Sequence, residues 1–398
     1  MLLRRGDPGS PAAGGGADPG PACRPWEVVQ RDPDGRTREP CPLGAFSDGR
    51  LILSVNPTLA PPDASSGPAE PRMLVFPVNS LEREPETLRP PWNGAPPFTE
   101  HSYRGLAVDG RRNELLLLNV EGHHAQHWTF LDRKGCFRAQ GRLDFPVGDY
   151  PEPQRIRLCY PTVALRDRAA HVLAISDIVE PVRAWRDFKF QLTGRKWDYD
   201  FRRLFYTWTP DITATPFRPW REIDGREATA GSIRNLDVWI APDGAAHLLW
   251  WVQSLDPRLR ERFFPGEALV WSLEHGVIHD GRLQSRTRLF EGREGDARGH
   301  PGWARLHATP AGRLFVFLHW TGAETSENRL VELHPDGGHG PVAPVPLEQP
   351  LRNFMTATER GGSPPSPVLD VMGTGTEPNT MRYVRIRLPG PRDGARPP

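Results

Sequence analysis

SYRGLAVDGRRNELLLLNV, residues 102–120, is the stretch that decides the fold. It opens with alternating residues, passes through a polar turn (VDGRRNE) and ends in a strongly apolar run. Alternation is the two-residue period of a strand, and a turn of Asp, Gly and Asn supplies the backbone freedom of a hairpin. The unit returns as LCYPTVALRDRAAHVLAIS (158–176), NLDVWIAPDGAAHLLWWV (235–252) and ARLHATPAGRLFVFLHW (304–320). GAFSDGRLILSVN (44–56) is a fainter copy, and VLDVMGTGTEPNTMRYVRIRL (368–388) is a candidate for another.

The units begin roughly 55 to 75 residues apart, a period that suits a four-stranded propeller blade. Further strand candidates fill the gaps: HWTFLD (127–132) and GRLDFP (141–146), LFYTWTP (204–210) and FRPWREI (217–223), ALVWSLEHG (268–276) and SRTRLFEG (285–292). No long stretch carries the helical period. The expected fold is therefore an all-β propeller of four-stranded blades, five of them clear and a sixth weaker. WEVV (26–29) is a candidate to complete the last blade. Residues 1–25 read as a disordered Gly/Pro/Ala-rich tail, 26–390 as the propeller and 391–398 as a flexible C-terminal tail.

Composition narrows the function classes. Fifty Lys and Arg against 49 Asp and Glu leave a net charge of +1, so no bulk field draws the chain to nucleic acid or to an anionic membrane. Only Lys134, Lys189 and Lys196 are lysine. GC-rich bacterial codon usage explains such a bias, and arginine also grips carboxylates bidentately. No apolar run reaches the ~18 residues of a membrane span. The N-terminus lacks an apolar signal core, so a cytoplasmic location is expected as written, and a secreted or periplasmic one if the true start lies upstream. Cys23, Cys41, Cys136 and Cys159 show no CxxC and no metal-ligand spacing, and read as buried free thiols.

Chain direction in a blade places the start of every inner strand and every loop between second and third strands on one face. That face collects His101, Tyr103 and Arg104, then Arg157 and Tyr160, then Arg234 and Asn235, then His300 and Arg305. The loops add His123, His124 and His127 from GHHAQH, and Arg183, Arg186, Arg195, Trp197 and Tyr199 from the long 177–201 insert. Arg258 and Arg260 come from SLDPRLRER. The opposite face holds the turn formers Asp109, Asp167 and Asp243. Arginine forks hold carboxylates or sulfates, and Trp and Tyr stack on sugar faces, so the expected partner is an anionic polysaccharide or oligosaccharide. GHHAQH admits three readings: a metal pair, loop histidines for acid–base work or anion binding, and plain surface residues. No helix and no suitably placed glutamate support the first, so neither metal nor cofactor is expected.

EHSYRGLAVDG, LNVEGHHAQHW, YPTVALRDRAAHV, WDYDFRRLFYTWTPDI and ARLHATPAGRLFVF resemble the BNR-repeat propellers of the sialidase-like superfamily, a group that includes ulvan lyases. The resemblance runs from about residue 40 to 388 on the blade pattern. It implies a seven-bladed wheel, against six counted directly, and a polysaccharide lyase that cleaves uronate glycans by β-elimination. His101 would match the first lyase histidine, His123 or His124 the second, and Tyr160 the tyrosine of the next blade. These four are the catalytic candidates. Arg183, Arg186 and Arg234 are the candidates for the carboxylate-neutralising arginine, and Arg104, Arg157, Trp197, Tyr199, Asn235, His300 and Arg305 complete the substrate-binding set. The alternatives are a sialidase-type hydrolase, although no SxDxGxxW box is present, and a non-catalytic glycan-binding propeller.

Overall fold

The computed structural model describes residues 2–5, 26–30, 39, 41–61, 64, 67–77, 80–335 and 337–390. Six antiparallel sheets stand around an axis. Their inner strands are Leu43–Ala45, Arg104–Asp109, Leu158–Arg166, Ser232–Ile240, His300–Ala308 and Asn353–Thr356. Blades 1 to 5 have four strands each, and blade 6 has three among the described residues. Six blades thus stand among the described residues, and the seventh implied by the resemblance is not found there.

The hairpin repeats land where their pattern puts them. In blade 2, Arg104 pairs with Asn119 and Asp109 with Glu114, so the polar VDGRRNE turn joins first and second strands. The apolar second strand, Glu114–Glu121, is buried along nearly its whole length because neighbouring blades cover both its faces. Apolar seams form between consecutive blades. Leu106, Val108 and Leu117 meet Ile52 and Met73 of blade 1, and Ile233, Leu248 and Trp250 meet Leu173 and Leu204 across blades 3 and 4.

Three expectations need correction. The sixth unit is offset by one strand: Val368–Thr374 and Met381–Arg387 are second and third strands, and the inner strand is the short Asn353–Thr356. Its pattern was hidden because only four residues pair before the chain leaves the sheet. WEVV does not complete blade 6, because Trp26–Gln30 pairs with Leu2–Arg5 at the start of the expected tail. The 177–201 insert contains a helix, Arg183–Thr193, closed by Gly194 in the left-handed region at φ 66°. Cys23 lies outside the described residues. Cys159 is buried as expected, but Cys41 is half-buried and Cys136 exposed, and all three are free thiols.

The 357–367 connection between the first and second strands of blade 6 crosses one mouth of the wheel. It lies on the face of the first-to-second-strand turns. Ala45 N–H donates to the Gly361 carbonyl and Val108 N–H to that of Arg360, both at 2.8 Å. Arg360 Nε reaches Asp237 Oδ1 at 2.7 Å, and Trp239 donates to Glu359. Gly362, at φ 89°, has no substitute here: a Cβ would lie 1.8 Å from the Ala45 carbonyl oxygen.

Candidate functional site

The open rim is shaped by breaks in three successive inner strands. Pairing shifts between Cys159 and Thr162, between Asn235 and Asp237, and between Pro301 and Ala304. In blade 3 the cause is legible. Pro161 has no N–H to give the ladder, so the strand bulges. The bulge throws Tyr160 into the left-handed region at φ 48°, a conformation strained for a bulky residue. Its side chain is turned out of the sheet and is 46% exposed.

Neighbours hold that posture. Asn235 of blade 4, itself buried, donates its amide to the Tyr160 carbonyl at 2.6 Å, to Thr162 Oγ1 at 3.0 Å and to the Leu173 carbonyl at 3.2 Å. The bulge would otherwise strand these acceptors. Asn235, expected to touch substrate, is in place to position Tyr160.

Tyr103 of blade 2 meets Tyr160 hydroxyl to hydroxyl at 3.1 Å, with ring centroids 4.3 Å apart. Burial pushes both phenols above their ordinary range. For Tyr160 the Tyr103 hydroxyl opposes that rise, as a donor to a developing phenolate does, while the nearby Cys159, Asp177 and Glu39 groups add to it. Tyr160 therefore keeps its proton at neutral pH.

Arg157 ties the expected residues together. Its guanidinium lies 5.1 Å above the Tyr103 ring, Nη1 pairs with Asp177 Oδ2 at 2.9 Å, and Nη2 donates to the His101 carbonyl at 3.4 Å. His123 senses the same guanidinium: desolvation first, then the Arg157 charge, then His124, hold its imidazole below the ordinary histidine range. His123 is thus neutral and able to accept a proton at pH 7. Arg157 thus bonds the backbone of His101, bears on the His123 imidazole by its charge and lies over Tyr103, the hydroxyl partner of Tyr160, whereas His127 is not among these contacts. His127 is buried with Nε2 2.7 Å from Glu121 Oε2, inside blade 2.

The remaining candidates divide. Arg234 is exposed and stacks 4.9 Å over Trp251, with no carboxylate partner among the described residues. Arg104 is buried, donating to the Glu39 carbonyl at 3.1 Å and lying 3.7 Å from the Cys41 thiol. Arg305 is buried on the axis, bonded to the Leu236 carbonyl and lying 4.6 Å from the Trp303 ring, and desolvation brings it down to about 10. His300 stacks on Trp271 at 4.0 Å. Arg183 and Arg186 ride on the insert helix, where Arg183 faces Asp187 at 3.6 Å. Trp197 and Tyr199 stand exposed beyond it. No grouping of His, Cys, Asp and Glu that could hold a metal occurs among the described residues, and no helix there is long and apolar enough to cross a membrane.

Sequence reasoning undervalued Tyr103 and missed the Arg157–Asp177 pair. Tyr103 lies two residues after His101, at the start of the same inner strand, and that was its available signal. Asp177 follows the second strand of blade 3, and only strand pairing carries it back to Arg157.

No family model matches this sequence, and no curated protein matches it. Among solved structures, an α-L-arabinofuranosidase from Fusarium graminearum is similar at 11% identity, covering 88% of this chain and 94% of its own, with a TM-score of 0.49. An endo-arabinase from Bacteroides thetaiotaomicron is similar at 9% identity, covering 72% and 93%, with a TM-score of 0.37. A mutant apocarotenoid oxygenase from Synechocystis follows at 10% identity, covering 87% and 68%, with a TM-score of 0.44. None of these likenesses bears on what this chain binds.

Proposed function

We propose that the open rim binds a uronate-containing glycan and cleaves it by β-elimination. The observation that carries this reading is Tyr160: strained, half-exposed, protonated, and bonded through its hydroxyl to Tyr103. Strain maintained by neighbouring bonds is a mark of functional residues.

Elimination takes the proton from C5 of the uronate and expels the glycosidic oxygen at C4. The barrier lies in the carbanion beside the carboxylate, and a cation on that carboxylate lowers it. Arg234 suits that grip because the residue is exposed and has no carboxylate partner among the described residues. Arg157 suits it less, being committed to Asp177. His123, neutral at pH 7, accepts the C5 proton, and His124 beside it is the alternative base. Tyr160 protonates the leaving oxygen, and Tyr103 then donates to the phenolate that remains. His101 helps hold the carboxylate.

The hydrolase reading needs Tyr160 as a nucleophile, hence deprotonated by a neighbouring base. Its hydroxyl partner among the described residues is another phenol. The test is to incubate the protein with ulvan and other uronate polymers and follow the ultraviolet absorbance of the unsaturated product. Tyr160→Phe should cost roughly 100-fold or more in turnover, as losing a general acid does. Reducing ends without that absorbance would instead indicate hydrolysis, and binding without turnover a lectin-like propeller.

A further inference from the structure

Beside the Tyr160 site, across a single aromatic ring, lies a second concavity that the elimination does not use. Phe201 is the shared wall: its ring centroid is 6.1 Å from that of Tyr160, and it lines a cavity of about 340 Å³. That volume falls within the ~300–1,000 Å³ of ordinary small-ligand sites. Tyr199, 39% exposed, supplies a second aromatic edge, and Ser232, at the start of the blade 4 inner strand, lies two residues before Arg234.

Charge distinguishes this cavity from the rim around Tyr160. Its three cations are already committed. Lys189 Nζ is 2.9 Å from Glu180 and 3.4 Å from Asp198. Arg202 pairs with Glu180 at 3.0 Å, with Glu227 at 3.1 Å and with Asp200 at 3.2 Å. Arg258 Nη1 pairs with Asp198 at 3.1 Å, and its Nε with Asp256 at 3.0 Å. Three lining carboxylates, Glu180, Asp200 and Asp256, with Asp198 and Glu227 behind them, thus occupy the three cations, and no guanidinium is left for an anionic ligand, whereas Arg234 has no carboxylate partner among the described residues. Burial pushes the Asp200 carboxyl up to about 8, which trims the acid excess and brings the cavity nearer neutrality than a cation site would be.

We propose that this cavity is a subsite for an uncharged sugar unit, stacked on Tyr199 and Phe201, next in the chain to the uronate held at Tyr160. The proposal rests on the uronate reading of the rim and adds that the glycan carries a neutral residue beside the charged one. A sugar there meets aromatic faces on one side and hydroxyl-bonding groups such as Ser232 on the other, the usual composition of such a site.

The test is calorimetric titration of the whole protein with methyl glycosides of glucose, xylose and rhamnose, and with methyl glucuronide and methyl glucosaminide. At least one neutral glycoside should bind, and the glucuronide should bind this cavity at least tenfold more weakly. Ser232→Trp fills the cavity and should abolish neutral binding. Should that variant fail to fold, Tyr199→Ala, which removes the stacking edge, should weaken it several-fold. Tyr160→Phe should leave it unchanged, which separates the two proposals: neutral binding without unsaturated product would sink the elimination and spare the subsite. Glucuronide or glucosaminide binding at this cavity as tight as the neutral glycosides would overturn the proposal. So would neutral binding indifferent to Ser232→Trp and Tyr199→Ala, or no neutral binding at all.

Discussion

The two mouths of the wheel are built from the same hairpins and treat their polar groups in opposite ways. At the closed mouth, the 357–367 connection satisfies the rim by bonding across four blades: to Ala45, Val108, Asp237 and, through the Ser366 carbonyl, His307. At the open mouth, a bulge turns Tyr160 outward, and Arg234 has no carboxylate partner among the described residues. A rim that satisfies itself is structure. A rim that leaves a strained, exposed phenol has capacity for a ligand.

The largest loss of stability is expected at the closed mouth. Arg360→Ala should destabilise the fold by about 3 kcal/mol, because it leaves Asp237, 1% exposed, as a buried charge without its ion-pair partner. Denaturant midpoints would show this, and a change near zero would mean the plug contributes little to closure.

At the open mouth stability and activity should separate. Asn235→Ala should cost about 1–3 kcal/mol by leaving the Tyr160 carbonyl and its neighbours unpaired, and turnover should fall with it as Tyr160 relaxes. Tyr160→Phe should remove turnover while leaving the denaturant midpoint close to that of the unaltered protein. An Asn235→Ala variant with full activity would show that the strained posture is irrelevant to function.

Acid should act on the blades rather than on either mouth. Burial holds His171 down to about 3, His275 to about 3 and His247 to about 4. Each folded value lies below the unfolded one near 6.5. Their contribution is therefore complete above about pH 6.5 and is lost as pH falls from there toward the folded values. The slope approaches about 1.4 kcal/mol per pH unit for each histidine that unfolding lets ionise. Chemical denaturation across pH 4 to 7 measures it, and a flat profile would contradict neutral burial. The smallest effect belongs to Arg183→Ala. Its side chain is 85% exposed, and its Asp187 pair on the helix surface should be worth no more than about 0.5 kcal/mol.

Legibility in the sequence tracked how local each feature was. The VDGRRNE, LRDRAAH and APDGAAH turns each set a hairpin within twenty residues, so those blades could be read directly. Blade 6 was misread because its four-residue inner strand lies a loop away from its partner. The insert helix escaped because eleven residues inside a 25-residue connection give little periodic signal. Of the rim residues, His101, His123 and Tyr160 could be placed on one face from strand direction alone. Tyr103 and Asp177 took their roles only once two blades met.

Alternation and turn chemistry act over a few residues, so the all-β wheel and five of its blades are legible in the order of residues alone. Tertiary structure alone decided which of the rim residues are exposed. Whether an arginine stands exposed like Arg234 or is a buried strut like Arg305 depends on the carboxylates and carbonyls that neighbouring blades bring within about 3 Å, the reach of a hydrogen bond. The same holds for Tyr160: Pro161 announces the bulge, but only Asn235, 75 positions away in the chain, holds it open.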